Sequence, residues 1–334
     1  MKRTFALSLL AVGLAFVLPI LLSVTPGGQA APQAAEPSPA PTPEPQRRQV
    51  LDESILLSVQ TADGAVEMTM ADYLPAALAG EMPAAFHPEA LKAQAVALRS
   101  YALYYRDARK AQHPDADICT GAGCCAAFAS EEELHLRWGS SYALYAAKLR
   151  DAVCATDGQY LVYDEAPILA VFHASSGGQT ESGANLGIPQ PYLQSVFSPE
   201  TPETVAQLES SVEVTAQEFK AAILGIAPEA ALGEDPAAWL GEVIHNDAGR
   251  VERVSIGGAA VSGLALRQLF SLRSTDFTLR WDGDCFRFSV SGYGHGAGMS
   301  QYGADVMAEG GADYTEILAH YYPGASLVIA MTAQ

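Results

Sequence analysis

Pro88-Glu89-Ala90-Leu91-Lys92-Ala93-Gln94-Ala95-Val96-Ala97-Leu98-Arg99-Ser100-Tyr101-Ala102-Leu103-Tyr104-Tyr105 is the strongest helical pattern in the chain. Proline suits the first helical position, and Glu89 in the first turn complements the helix macrodipole. Leu91, Ala95, Leu98 and Ala102 recur at helical spacing and predict one buried face. Upstream, residues 54–59 and 65–70 read as two strands paired around Thr61-Ala62-Asp63-Gly64. Downstream, 134–153 reads as a helix, 158–163 and 168–172 as strands, and 216–224 as a helix. Residues 251–256, 277–281 and 286–290 read as strands, and 300–321 as a last helix. Helices and strands come in runs rather than in strict alternation, which predicts an α+β fold. The expectation is a helical lobe and a β-rich lobe forming a substrate cleft over 49–330, with a mixed α/β sub-lobe at about 207–290.

The 334 residues are 49% hydrophobic and 17% charged, a globular composition. Nineteen basic against 38 acidic residues give a net charge of −19, which excludes nucleic-acid binding through a basic footprint. Lys2 and Arg3 precede twenty residues without a charge, 5–24, long enough to span a bilayer. This predicts a transmembrane anchor at 1–24 with the rest of the chain outside the cytoplasm. The alternative is a signal peptide cleaved after Gly28-Gln29-Ala30, and it exports the chain equally. The Pro/Ala-rich stretch 25–48 reads as an extended linker.

Four stretches stand out. They are Gly80-Glu81-Met82-Pro83 leading into the helix above; His173-Ala174-Ser175-Ser176-Gly177-Gly178-Gln179-Thr180; Pro191-Tyr192-Leu193-Gln194-Ser195-Val196; and Gly294-His295-Gly296-Ala297-Gly298-Met299-Ser300-Gln301-Tyr302-Gly303-Ala304 with Tyr321-Tyr322-Pro323-Gly324. Together they resemble the stage II sporulation protein D family, membrane-anchored lytic transglycosylases used in forespore engulfment. Related domains occur in amidase enhancers. The resemblance implies action on peptidoglycan glycan strands, in an engulfment complex with a cell-wall amidase/endopeptidase and a polytopic membrane protein.

Glycosidic cleavage needs a carboxylic acid that protonates the leaving oxygen. A lytic transglycosylase needs only one, because a sugar hydroxyl replaces water. Glu89 and Glu81 compete for that role. Glu89 sits in a first helical turn, where a negative charge is favoured and a helix-start role is expected. Glu81 has no charged neighbour over 76–86, so burial there would raise its pKa. The resemblance points to the same Glu-Met-Pro glutamate, and Glu81 is the expected catalytic residue.

Lys92 and Arg99 lie two turns apart, either to meet the lactyl carboxylates of stripped glycan strands or as a solvated stripe. His173, Ser175, Ser176, Gln179, Thr180, Tyr192, His295 and Gln301 complete the expected substrate-binding set. Tyr192 reads as a stacking residue or a packed core tyrosine, and Gln194 stands where the family often carries lysine. His173 with Ser175 or Ser176 also admits a Ser/His acyl hydrolase, although no Gly-x-Ser-x-Gly elbow is present. A non-catalytic wall-binding module that activates an amidase is the other alternative.

His113, Cys119, Cys124 and Cys125 offer four N/S ligands within thirteen residues, a donor set for a structural zinc. A disulfide or a free thiol is the alternative outside the cell. The resemblance implies that this loop holds zinc through His and Cys, with Cys124 at a position others fill with His. Cys154 and Cys285 read as buried small apolar residues.

Overall fold

A computed structural model describes residues 51–330. The anchor expected at 1–24 and the linker at 25–48 lie outside the described residues. Among those described, no helix is long and apolar enough to cross a membrane. The architecture is mixed α+β, with helices and several small sheets.

Helix α1 (Leu51–Ser54) leads into an antiparallel hairpin, Leu56–Thr61 with Gly64–Thr69, in which Val59 faces Val66. Helix α2 (Met70–Glu81) follows at once, and the pattern reading does not contain it. The Thr69 hydroxyl caps it by accepting from the Asp72 N–H at 3.1 Å.

Helix α3 (Pro88–Ala108) is the axis of the larger lobe. The expected single buried face is too narrow a description, since every residue from Ala93 to Leu103 is buried. A helix covered all round is a core helix rather than an amphipathic one. Its many alanines let α2, the later helices and the strand Gln159–Tyr163 approach it closely.

The single helix expected over 134–153 is two, α4 (Glu131–Trp138) and α5 (Tyr142–Ala155), separated by a 3-10 turn at Gly139–Ser141. Gly139 takes a positive φ of 51°, which stops α4. The strand expected over 168–172 shrinks to Phe172–His173, which pairs in parallel with Met299–Ser300. The helix expected over 300–321 is likewise broken. It divides around Gly310-Gly311, and Asp313 caps the second piece by accepting from Thr315 and Glu316 N–H groups at 2.8 and 2.9 Å.

A second hydrophobic cluster is built by residues from Val214 to Val290. It comprises two three-stranded antiparallel sheets with α6 (Ala216–Ile226) and α7 (Gly263–Leu269). Phe219 stacks on Phe286 at 3.9 Å at its centre. The chain then returns to the larger lobe for α8 (Gln301–Glu309) and α9 (Tyr314–Tyr321).

Arg99 is fully buried and forms a bidentate pair with Asp52: Nε to Oδ1 at 2.8 Å and Nη2 to Oδ2 at 2.6 Å. Its Nη1 donates to the Gln159 carbonyl at 2.7 Å. Removing one member of such a pair strands the other charge in the core. Asp52→Ala is therefore expected to cost about 3–5 kcal/mol in denaturant unfolding, and Asp52→Leu with Arg99→Met to recover most of it.

Candidate active site

Glu81 is the last residue of α2, and the rest of the site is arranged around it. Gly80 makes this possible. A Cβ there would sit 2.7 Å from the carbonyl carbon and oxygen of Ala127, so only glycine lets the helix end lie against the 125–128 loop. That contact aims the Ala127 N–H at the Glu81 carboxylate, which accepts it. Burial raises the Glu81 pKa above the ordinary carboxylate range, opposed by the Ala127 hydrogen bond and by the Gln301 side-chain amide. The C-terminal end of a helix is also an unfavourable place for an anion.

Glu81 opens on two cavities. One, of about 280 Å³, is walled by the Ala122–Ala126 loop, Val171, Phe172, Tyr101 and His295. The other, of about 380 Å³, lies on the side of Met82, Pro83, Arg137, Trp138 and Tyr145. Volumes of this order suit small ligands or single sugar rings.

His295 reaches the first cavity from the glycine-rich segment 294–298, which leads into the two-residue strand Met299–Ser300 rather than directly into a helix. Gly298 (φ 69°) passes so close to Val171 that a Cβ would lie 1.9 Å from its carbonyl oxygen. Burial, the nearby Arg267 and Arg250 together bring the His295 pKa down to about 4, against an opposing hydrogen bond to the Phe172 backbone. Its Nδ1 accepts from the Ala297 N–H at 3.1 Å. A neutral imidazole with its proton on Nε2 fits this arrangement, so His295 lines the cleft without a charge. His173 packs behind it, ring centres 5.7 Å apart. It is buried, its Nδ1 lies 3.1 Å from the Ala297 carbonyl oxygen in a hydrogen bond, and burial holds its pKa well below the usual histidine value.

Several expected substrate contacts are occupied elsewhere. Arg99 is sealed against Asp52. Lys92 pairs with Glu89 at 2.6 Å, and Glu89 accepts the Tyr314 N–H at 3.0 Å, so both tie α3 to α9. Tyr192 is the packed core tyrosine, buried and accepting from the Leu169 N–H at 2.9 Å. Gln194 donates to the Pro191 carbonyl at 2.9 Å. Thr180 is buried and accepts from the Val196 N–H at 2.8 Å, and Gln179 donates to the Ser195 hydroxyl at 2.8 Å. Of the expected set, Glu81, His295 and Gln301 are the ones that meet at the cleft.

The serines answer to Glu200, which the sequence reading missed. The hydroxyls of Ser175, Ser176, Ser198 and Ser300 all donate to its buried carboxylate, with the Ser176 N–H as well. Ser175 and Ser176 are therefore not nucleophiles poised on a histidine, which overturns the acyl-hydrolase alternative. Ser198-Pro199-Glu200 looks like an ordinary loop, and its partners lie 24 to 100 residues away in sequence. No local signal marks it.

The ligand atoms of His113, Cys119, Cys124 and Cys125 all lie within 4.8 Å of one another. A tetrahedral zinc with bonds of about 2.0–2.3 Å sets its ligands about 3–4 Å apart, so the donor set fits. His113 Nδ1 is 3.0 Å from the Ala116 carbonyl oxygen, which leaves Nε2, 3.2 Å from Cys125 Sγ, as the ligand atom. None of the five cysteines is in a disulfide. Contrary to expectation, Cys154 is exposed and Cys285 only half-buried.

An α+β domain with one desolvated carboxyl in a cleft, walled by a four-ligand His/Cys loop, is the class these features define. The family described as stage II sporulation protein matches residues 59–163, which span Glu81, α3 and the His/Cys loop. The chain is 34% identical over 274 residues to stage II sporulation protein D of Bacillus amyloliquefaciens, covering 80% of this chain and 77% of that one. It is 34% identical over 272 residues to the protein of that name from Bacillus subtilis (strain 168), with the same coverage. An amidase enhancer of Bacillus subtilis (strain 168) is 26% identical over 313 residues, covering 76% of this chain and 40% of that one. The chain belongs to the stage II sporulation protein D family.

Gly80→Ala is expected to lose about 1–3 kcal/mol of stability, because backbone rather than a side-chain tip must give way. Gly123→Ala, where a Cβ meets nothing within 4 Å, should change unfolding by less than about 0.5 kcal/mol.

Proposed function

We propose that the protein is a membrane-tethered peptidoglycan lytic transglycosylase that cleaves the bond between N-acetylmuramate and N-acetylglucosamine in peptide-free glycan strands. The observation that carries this reading is a solitary carboxyl, Glu81, desolvated at a helix end and open to a cavity on either side. Protonated Glu81 gives its proton to the glycosidic oxygen, and the C1–O bond breaks. The resulting carboxylate then takes the proton of the muramate C6 hydroxyl as that oxygen bonds to C1. The product ends in 1,6-anhydro-muramate, and no water is consumed. Gln301 orients the carboxyl, and neutral His295 lines the cleft beside it.

The proposal extends to a sporulation setting, in septal and forespore engulfment with a wall amidase/endopeptidase and a polytopic membrane protein, and membership of the family supports it. Residues 1–24 would hold the domain at the outer face of the cell membrane. The His/Cys loop would bind a structural zinc through His113, Cys119, Cys124 and Cys125, with no open position for a reacting water. Bound there, the ion would fix the cleft wall formed by 122–126.

Wild type and Glu81→Gln, incubated with peptide-free strands and read by mass spectrometry, test the reaction. Anhydro-muramate ends are expected from the wild type alone. Unchanged product from the variant removes Glu81, and no sugar product from either favours a wall-binding module of the amidase-enhancer kind.

Because burial raises the Glu81 pKa, the proton-donating form is lost as pH rises through that raised value. The alkaline limb of the rate profile should therefore lie above the ordinary glutamate range. The same shift means that Glu81 stabilises the fold most below its unfolded-state pKa, and less as pH rises through the folded one. Glu81→Gln should lack this component in pH-dependent unfolding.

Metal analysis of protein made without added zinc should find about one zinc per chain. Cys119→Ser should lower both that content and the thermal midpoint.

A further inference from the structure

The expected partners for a glycan carboxylate are spent inside the protein: Lys92 on Glu89, Arg99 on Asp52. Lys148, also near the Glu81 loop, donates to the carbonyls of Ala85 and Phe86 at 3.1 and 2.5 Å. Arg137 is different. Its Nη1 donates to the Ala79 carbonyl at 3.1 Å, two residues before Glu81, and among the described residues no salt bridge engages the guanidinium. Glu133, one turn back, feels its charge, but the Glu133 carboxylate is held by the Ser130 N–H and hydroxyl at 2.8 and 2.9 Å. Arg137 is exposed and lines the cavity of about 380 Å³ that ends on Glu81.

Two aromatic rings share that cavity. Trp138 ends α4 and Tyr145 lies in α5, and the 3-10 turn between the helices sets the rings 5.6 Å apart at 71°. Both are half-buried. An aromatic corner offers flat apolar faces to the C–H surface of a pyranose, while a fixed guanidinium fork takes a carboxylate in two hydrogen bonds. In a chain of net charge −19, an arginine that forms no salt bridge among the described residues and lies beside Glu81 is a local exception to the surrounding field.

We propose that Arg137, Trp138 and Tyr145 form a subsite for a carboxylate-bearing sugar ring on one side of Glu81, with Arg137 selecting the carboxylate. The inference rests on the glycan-cleaving reading and assigns residues to its preference for peptide-free strands: the ring is a muramyl residue, and its free lactyl carboxylate is what Arg137 reads. An amide-linked lactyl group carries no charge for Arg137, so the subsite favours strands already stripped by an amidase.

The test is a calorimetric titration in a Glu81→Gln background, which blocks turnover. The probes are peptide-free glycan strands and the same strands with their carboxylates chemically reduced to alcohols. The parent should bind native strands about tenfold more tightly than reduced ones. Arg137→Gln should erase that difference by weakening native strands alone, and Arg137→Lys should restore part of it. Equal affinity of the parent for the two strands, or an equal loss on both from Arg137→Gln, overturns the subsite. Cleavage is scored separately with the wild type. Absence of anhydro ends sinks the transglycosylase reading, whereas the carboxylate preference stands or falls on the titration.

Discussion

The approach of the α2 end to the Ala127 backbone is the constraint on which the site depends. It requires a residue without a Cβ at position 80. It delivers a backbone N–H to the Glu81 carboxylate and makes the 122–126 segment a wall of the same cleft. The result is a balance. Burial favours the protonated acid, while the Ala127 N–H and the nearby Gln301 amide keep the ionised form within reach. The proposed reaction asks this group first to give a proton and then to take one, which needs both forms accessible, and neither full burial nor full exposure would supply that.

A second polar centre holds the opposite wall. Glu200 gathers hydroxyls from the 173–180 segment, from Ser198 and from Ser300, and Ser198 in turn meets the Tyr321 hydroxyl at 2.6 Å. The motif segments so conspicuous in the sequence are thus largely devices for packing against one another. Ser175 and Tyr293 exchange two backbone hydrogen bonds, and Glu181 N–H donates to the Gly296 carbonyl. The consequence for the cleft is indirect: His295 is delivered to the cavity because the loops around it are pinned.

What could be read beforehand divides along physical lines. Features encoded within a few residues were legible: α3 from its periodicity and Pro88, the strands at 251–256 and 277–281, and the His/Cys loop from the spacing of its donors. The uncharged surroundings of Glu81 also announced a carboxyl with a raised pKa, in agreement with the structure. Features that depend on distant partners were not. Lys92 and Arg99 read as substrate cations or a solvated stripe; the Glu89 pairing of Lys92 was within local reach, but nothing local reveals that Glu89 also binds the Tyr314 N–H, or that Asp52, forty-seven residues away, neutralises Arg99. Tyr192 read equally as a stacking ring or a core tyrosine, and only the distant Leu169 N–H, which its hydroxyl accepts, settles it as the latter. Helix α2 was hidden by Pro75 and by its own apolar run, and the helices expected at 134–153 and 300–321 ran through glycines that break them.

The first two described residues, Leu51 and Asp52, are strapped to the core of the domain. Leu51 and Asp52 give their N–H groups to Asp157 at 2.8 and 2.9 Å, and Asp52 grips Arg99 on the central helix. With the second Arg99 contact and the Gly158 N–H that Asp52 also accepts, five hydrogen bonds to Asp157, Arg99 and Gly158 hold these two residues ahead of the hairpin. The hairpin that follows is thereby rooted in the most deeply covered helix of the domain rather than in the loops around Glu81.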